Sequence, residues 1–325
     1  SKQTKLGVWR YPFQLPGGGR GQGPSEDASN TQYAMLALHC ARQVGIRVPD
    51  SVFVRAAQWF LINQEPDGPE VKPFRVPAAD LSIRKLKKME KQILQEMKKR
   101  WEEQVRRWKE AKRKGEEPPK LEPPRKTKVI EMDDPYERLG KELGKMKARG
   151  WSYVNREGRN VPDVAKADWT RVTGSMTTSG IIALTICKEA IERKSRSLAK
   201  KVSKAIRDGM AWLAHNWTVE RNPNAQCWHL YYLYGVERAG VLTLTEKIGE
   251  HQWYKEGVEY LLRTQQPNGS WNGEQENVRW ATGPLGLGPV ENTCFAILFL
   301  KRATVPIIKR DVIVTGTGLL GPKNK

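Results

Sequence analysis

The chain has little of what usually announces chemistry. No stretch approaches 18 consecutive apolar residues, so no membrane-spanning helix is expected, and no signal peptide is visible. There are only four cysteines and no Cys-x-x-Cys pair, so Cys40, Cys187, Cys227 and Cys294, all within apolar stretches, read as buried thiols. The Gly-rich run PGGGRGQGP, residues 16–24, lacks the Gly-Lys-Ser/Thr ending that seats a phosphate on a helix amino terminus, and reads as a loop. GSMTTSG is not Gly-x-Ser-x-Gly, and no His-Asp pair is placed to activate Ser175 or Ser179; a helix start capped by Ser or Thr is expected there. A Cys-Gly-Glu-Gln thioester is missing too. The only Asp-Asp, Asp133-Asp134 in EMDDPYERL, precedes Pro and reads as a helix cap with Pro in the first turn.

What is present is a helical repeat. TQQPNGSWNG, residues 264–273, ends the amphipathic stretch WYKEGVEYLLRTQ with Gln, a Pro-Asn-Gly turn, Gly269 and Trp271. A second copy follows FVRAAQWFLINQEPDG, where Gln64 and Pro66-Asp67-Gly68 recur but no Trp closes the turn. Pro fixes φ and Asn, Asp or Gly tolerates the left-handed conformation that ends a helix. Four stretches, TQYAMLALHCARQVG, MTTSGIIALTICKEAI, CWHLYYLYGVERAG and NTCFAILFLKRA, are apolar nearly all round and should be buried inner helices. Three others, SVFVRAAQWFLINQ, SLAKKVSKAIRDGMAWLAHNW and WYKEGVEYLLRTQ, carry one apolar stripe, such as Val202, Ile206, Met210 and Leu213, and should lie outside.

That alternation, with Gln266 before Gly269-Ser270-Trp271, resembles the α/α-toroid of squalene-hopene cyclases and protein prenyltransferases. GSMTTSGIIAL, YYLYGVERAGVL, WYKEGVEYLLRTQQPNGSW and NTCFAILFLKRA together resemble the prenyltransferase/squalene-oxidase repeat proteins of bacteria, nearest to a planctomycete group. The likeness covers roughly residues 7–79 and 150–306. It implies an all-α fold, a partial α/α-toroid, in which Gln266 and Trp271 tie an outer helix to its neighbour. Three and a half helix pairs cannot close a six-pair barrel. The opening GVWRYPFQ reads like a loop that should follow an outer helix, so the chain is expected to be the later part of something longer, or processed.

The resemblance sets two functional classes side by side. Cyclases of this kind use an Asp-x-Asp-Asp acid, which is missing here. Prenyltransferases bind zinc through Asp-x-Cys and a later His; here Asn292-Thr293-Cys294 puts a neutral amide in place of the carboxylate and His229 comes earlier, so no metal and no other cofactor is expected. Asp163 and Asp168 in VPDVAKADW match no such acid and are expected to pair or cap. Trp228, Tyr231, Tyr232, Tyr234, Phe295 and Phe299 lie on or beside inner helices, either as core or as the lining of a pocket for an apolar or isoprenoid ligand.

Between residues 80 and 149 the repeat is interrupted. Leu86, Met89, Ile93, Met97, Trp101, Val105 and Trp108 recur every three or four residues along one long helix. Two Pro-Pro pairs break it, and Tyr136, Leu139, Leu143 and Met146 mark a second helix, so a hairpin arm is expected. From 80 to 150 there are 23 Lys plus Arg against 14 Asp plus Glu, net +9, in a chain whose formal charge is +20. Such a surface attracts polyanions or anionic surfaces, although interleaved Glu is equally a solvated helix face.

The expected organisation is therefore residues 1–79 as a first helix pair with a Gly-rich loop, 80–149 as the arm, 150–306 as the remaining pairs and 307–325 as a tail. The expected function is a non-catalytic binding or assembly scaffold, without catalytic residues. A protein partner or a second copy would meet the arm at Trp101, Trp108, Arg106 and Arg107. The alternative is an isoprenoid-processing enzyme with its ligand in the toroid centre. A soluble bacterial protein, cytoplasmic or exported, is expected.

Overall fold

The computed structural model describes residues 3–10, 26–119, 144–159, 161, 163–272, 279–280, 283–284 and 288–304; the side chains of 87, 89–98, 100, 101 and 163–165 are not among them. Among these residues the protein is mostly helical. The chain divides into two compact units, one holding residues 3–82 and 144–304 and the other residues 83–119.

In the first unit the helices are α1 (Ala28–Gln43), α2 (Asp50–Asn63), α3 (Pro77–Asp80), α5 (Asp163–Trp169), α6 (Gly174–Glu192), α7 (Arg196–His215), α8 (His229–Thr243), α9 (Trp253–Thr264) and α10 (Pro289–Leu300); the second unit holds α4 (Ile83–Lys114). The two-residue strands β1 (Glu70–Val71) and β2 (Met146–Lys147) pair antiparallel, as do β3 (Arg279–Trp280) and β4 (Gly283–Pro284). All seven helices expected as inner or outer form within a few residues of the expected bounds. Caps explain several starts: Asp27 accepts from Asn30 N, Thr173 from Met176 N and Ser195 from Leu198 N.

The packing follows the alternation. Helix α6 touches α1 and α8 and is covered by α2 and α7, while α8 touches α10 and α9. Accordingly α6 is buried on every side except around Glu189 and Glu192, and the stripe Val202, Ile206, Met210 and Leu213 of α7 is wholly buried. Helix α10 departs from the expectation of an all-round buried inner helix. It buries Asn292, Ala296 and Phe299, whereas Val290 and Ile297 are exposed. The cysteines also divide. Cys187 is buried, Cys227 is half-buried ahead of α8, and Cys40 and Cys294 are exposed because they fall on the faces of α1 and α10 turned from the core.

One loop geometry occurs twice. At the end of α9, Gln266 N donates to Ser270 O at 2.9 Å, and the Trp271 indole donates to Leu261 O at 2.8 Å. At the end of α2, Glu65 N donates to Gly150 O at 3.1 Å, and the Trp151 indole donates to Phe60 O at 2.7 Å. Trp151, which follows the interruption, thus holds the end of α2 as Trp271 holds the end of α9. In this register the counterpart of Gln64 is Gln265, while Gln266 corresponds to Glu65.

The main chain of each Trp is then held by a threonine in the first turns of the next inner helix. Trp151 N donates to Thr177 Oγ1 at 3.3 Å and Trp271 N to Thr293 Oγ1 at 3.1 Å. Trp9, in Gly7-Val8-Trp9, does the same with Thr31 at 3.0 Å. Three inner helices, α1, α6 and α10, thus start on one Trp–Thr contact. The slot for Trp151 exists because two glycines face it: a Cβ on Gly180 would lie 2.4 Å from the ring and one on Gly209 2.7 Å.

The ends of the interruption meet on α7. Arg207 pairs with Asp80, and the same guanidinium donates to Gly144 O at 2.8 Å. Buried Asp208 accepts from Lys147 N and from Lys204, and Lys188 donates to the carbonyls of Ala78, Ala79 and Leu81 at the end of α3. Met146, expected on the second arm helix, is instead in β2 opposite Val71, because the chain has already returned to the body. The remaining residues of that second helix, and Asp133-Asp134, lie outside the described residues.

Candidate functional site

The face of α8 turned toward α1 and α10 carries a cluster of aromatic and charged side chains. Trp228, Tyr231, Tyr234 and Arg238 follow one another at steps of three, three and four residues, which keeps them on one helix face. Tyr33 of α1 stacks on Tyr231 with ring centres 6.4 Å apart. Phe295 of α10 lies 5.6 Å from Tyr231 and 5.7 Å from Tyr234. Trp228 meets Tyr231 edge-on at 6.4 Å. Such offset and edge-to-face contacts are the favoured arrangement of aromatic pairs.

Burial grades along the stripe. Trp228 is 36% exposed and Tyr33 42%, whereas Tyr231 is buried and Arg238 is 1% exposed. Trp228 also adopts a left-handed backbone conformation, φ 67° and ψ 34°, at the amino-terminal cap of α8. For a bulky side chain this costs on the order of 1–2 kcal/mol.

Electrostatically the face combines neutral phenols with the Arg238 guanidinium. Burial pushes the Tyr231 and Tyr232 hydroxyls well above the usual phenol range, and raises Tyr234 for the same reason. The Tyr231 hydroxyl accepts from Gln32 Nε2 at 2.6 Å. The Arg238 guanidinium lies 4.1 Å from the centre of the Tyr234 ring and 5.1 Å from that of Tyr33. Beside it, burial raises the Glu237 carboxyl, which accepts from Thr304 N at 3.2 Å and Thr304 Oγ1 at 2.5 Å.

The expected ligand residues therefore separate into two sets. Trp228, Tyr231, Tyr234 and Phe295 come together. Tyr232 and Phe299 do not join them: Tyr232 is buried with its hydroxyl on Thr218 O, and Phe299 stacks on Tyr254 and meets Trp253 edge-on beneath Gly257 of α9. No family model matches the chain, and no curated protein or solved structure matches it either.

The other candidates are placed as follows. Gln64 is buried and bridges Arg149 O and Ala205 O, both at 3.0 Å, while its own oxygen accepts from Arg149 Nη2. Gln266 is exposed, with its amide 3.4 Å from Thr264 O, and Gly269 sits at φ 84°, which favours glycine. Thr293, the central residue of Asn292-Thr293-Cys294, is engaged in the Trp271 contact. Among the described residues no three His, Cys, Asp or Glu side chains gather as a metal site. Asp168 pairs with Arg171 at 3.2 Å, and Ser175 and Asn222 bond one another in a helix start. On α4, Arg106 and Arg107 are exposed, Arg107 pairs with Glu103 at 2.8 Å, and half-buried Trp108 has Lys112 4.6 Å above its ring. The Trp101 side chain lies outside the described residues.

Three participants escaped the sequence reading: Gln32, Tyr33 and Arg238. A signal for the last was available, since Arg238 is a charged residue four positions after Tyr234 on a mostly apolar helix whose one other acidic or basic residue besides His229 is Glu237. Tyr33 offered no comparable signal. Its place opposite α8 depends on two helices nearly two hundred residues apart.

Proposed function

We propose that this chain is an arc of an α/α-toroid, related to the prenyltransferase and squalene-cyclase repeat, that acts as a non-catalytic binding or assembly scaffold. The observation that carries the proposal is the Trp–Thr contact at Trp9/Thr31, Trp151/Thr177 and Trp271/Thr293, which gives three of the four inner helices, α1, α6 and α10, the same start and supports reading them as copies of one unit. In this reading the face built by Tyr33, Trp228, Tyr231, Tyr234 and Phe295 lines the concave side and receives an apolar group. Its phenols, held neutral by burial, supply contact area and hydrogen bonds rather than proton transfer. The basic arm beginning at α4 contacts a protein partner, a second copy or a polyanion through Trp101, Arg106, Arg107 and Trp108. Among the described residues no helix is long and apolar enough to cross a membrane.

The clustering of five aromatic rings favours a second reading, an isoprenoid-processing enzyme, because aromatic faces stabilise cations. Equimolar incubation of the protein with farnesyl diphosphate or squalene separates the two. The scaffold reading expects full recovery of either compound unchanged, and time-dependent conversion abolished by Tyr231→Ala would replace it with the enzyme.

A further inference from the structure

Arg238 is 1% exposed, yet Nε, Nη1 and Nη2 all lack a hydrogen-bond partner among the described residues. Buried polar groups are almost always paired, so a buried guanidinium with every nitrogen unpaired needs a reason. The rings of Tyr33 and Tyr234 engage its charge by cation–π contact, but its planar fork of N–H donors has nothing to donate to. Glu237, its neighbour in sequence, gives its oxygens to Thr304 instead. A second orphan lies near by: Gln32 Oε1 is buried and unpartnered, while its amide nitrogen is fixed by Tyr231, whose ring stacks on Tyr33.

We propose that Arg238 is an anion subsite at the end of the aromatic face, and that its ligand is an organic monocarboxylate whose apolar body lies along Tyr231, Phe295 and Trp228. This rests on the reading of that face as a binding surface and names the ligand class. A carboxylate matches the guanidinium fork with two parallel N–H···O bonds. Charge selects the monoanion. Among the described residues Arg238 is the cation whose charge acts on Tyr231 and Tyr234, while Asp27 acts on the first of these rings and Glu237 on the second, so a doubly charged phosphate would meet one compensating charge and two carboxyl groups. Tyr33 governs access: it is 42% exposed and lies over the buried guanidinium, so rotation of its side chain uncovers the donors.

The test uses 2-naphthylacetate, its neutral analogue 2-naphthaleneethanol and 2-naphthyl phosphate, titrated into the full chain by calorimetry. The expected result is that the carboxylate binds at least tenfold more tightly than the alcohol, and that Arg238→Met erases this preference while leaving alcohol binding unchanged. Arg238→Met should also melt no lower than the parent, because it removes a buried unpaired charge. If Arg238→Met does not fold, Arg238→Lys, which keeps the charge and loses the fork, should reduce the preference severalfold. Equal binding of carboxylate and alcohol would overturn the anion subsite and leave the apolar face standing. Binding of neither compound at millimolar concentration would overturn both. Tighter binding of the phosphate, lost in Arg238→Met, would overturn the assignment to a monocarboxylate.

Discussion

Removing the Trp151 ring should cost about 4 kcal/mol, the middle of the range for truncating a buried aromatic to alanine. The indole is fully buried, its N–H donates to Phe60 O at 2.7 Å, and Phe60 meets it edge-on. The glycines on either side cannot collapse into the space, since neither has a side chain to move. The same geometry predicts a reversal of sign. In the parent, Gly180→Ala drives a Cβ to 2.4 Å from the Trp151 ring, a backbone-anchored clash worth roughly 1–3 kcal/mol. In a Trp151→Ala background the same methyl enters the vacated slot and should be neutral or stabilising. Urea denaturation of the four proteins, followed by circular dichroism at 222 nm, gives the coupling as a double-mutant cycle. A cost below about 1 kcal/mol for Trp151→Ala, or an equal cost of Gly180→Ala in both backgrounds, would refute the slot as the element that joins α2, α6 and α7.

Two further predictions bear on the body of the protein. Burial pushes the His229 imidazole down to about 4, with Nε2 on Val219 O, so the folded state favours the neutral ring. Its contribution is complete above the ordinary value of 6.5 and is lost as pH falls from there toward 4, by roughly 3 kcal/mol at most, and His229→Gln should flatten that part of a stability–pH curve. An unchanged slope between pH 6.5 and 4 in the variant would contradict the assignment. Lys188→Met should cost about 2–4 kcal/mol, because three carbonyls around the end of α3 lose their common donor. Amide exchange should then rise first around residues 78–82; a uniform rise across the fold would mean that Lys188 does not hold that segment.

The helices were legible because periodicity is a local property. The mostly apolar stretch of residues 176–191 and the stripe of residues 202–213 each report their surroundings directly. The Trp151 closure was not legible, since a motif read as contiguous letters fails when an insertion separates Gly68 from Gly150. At Trp271 the turn and its Trp are contiguous, but the sequence points to Gln266 as the partner of Gln64, whereas the loop hydrogen bonds align Gln64 with Gln265. The aromatic face was half legible. Residues on one helix, Trp228, Tyr231 and Tyr234, share a face by spacing alone, whereas adding Tyr33 and removing Phe299 required the packing of α1, α8, α9 and α10. Exposed Cys40 and Cys294 show the limit of composition: an apolar helix can still turn one face to solvent.

The most direct test of the scaffold account is removal of the arm. Asp80 and Gly144 O are both held by the guanidinium of Arg207, so Ser82 and Gly144 can be rejoined by a short Gly-Ser linker after deleting residues 83–143. Light scattering and heparin-column retention are then compared between the full chain and the deletion variant at matched salt. The account predicts an unchanged melting temperature together with loss of self-association and heparin retention. A deletion variant that still associates and is retained as strongly as the parent would contradict it.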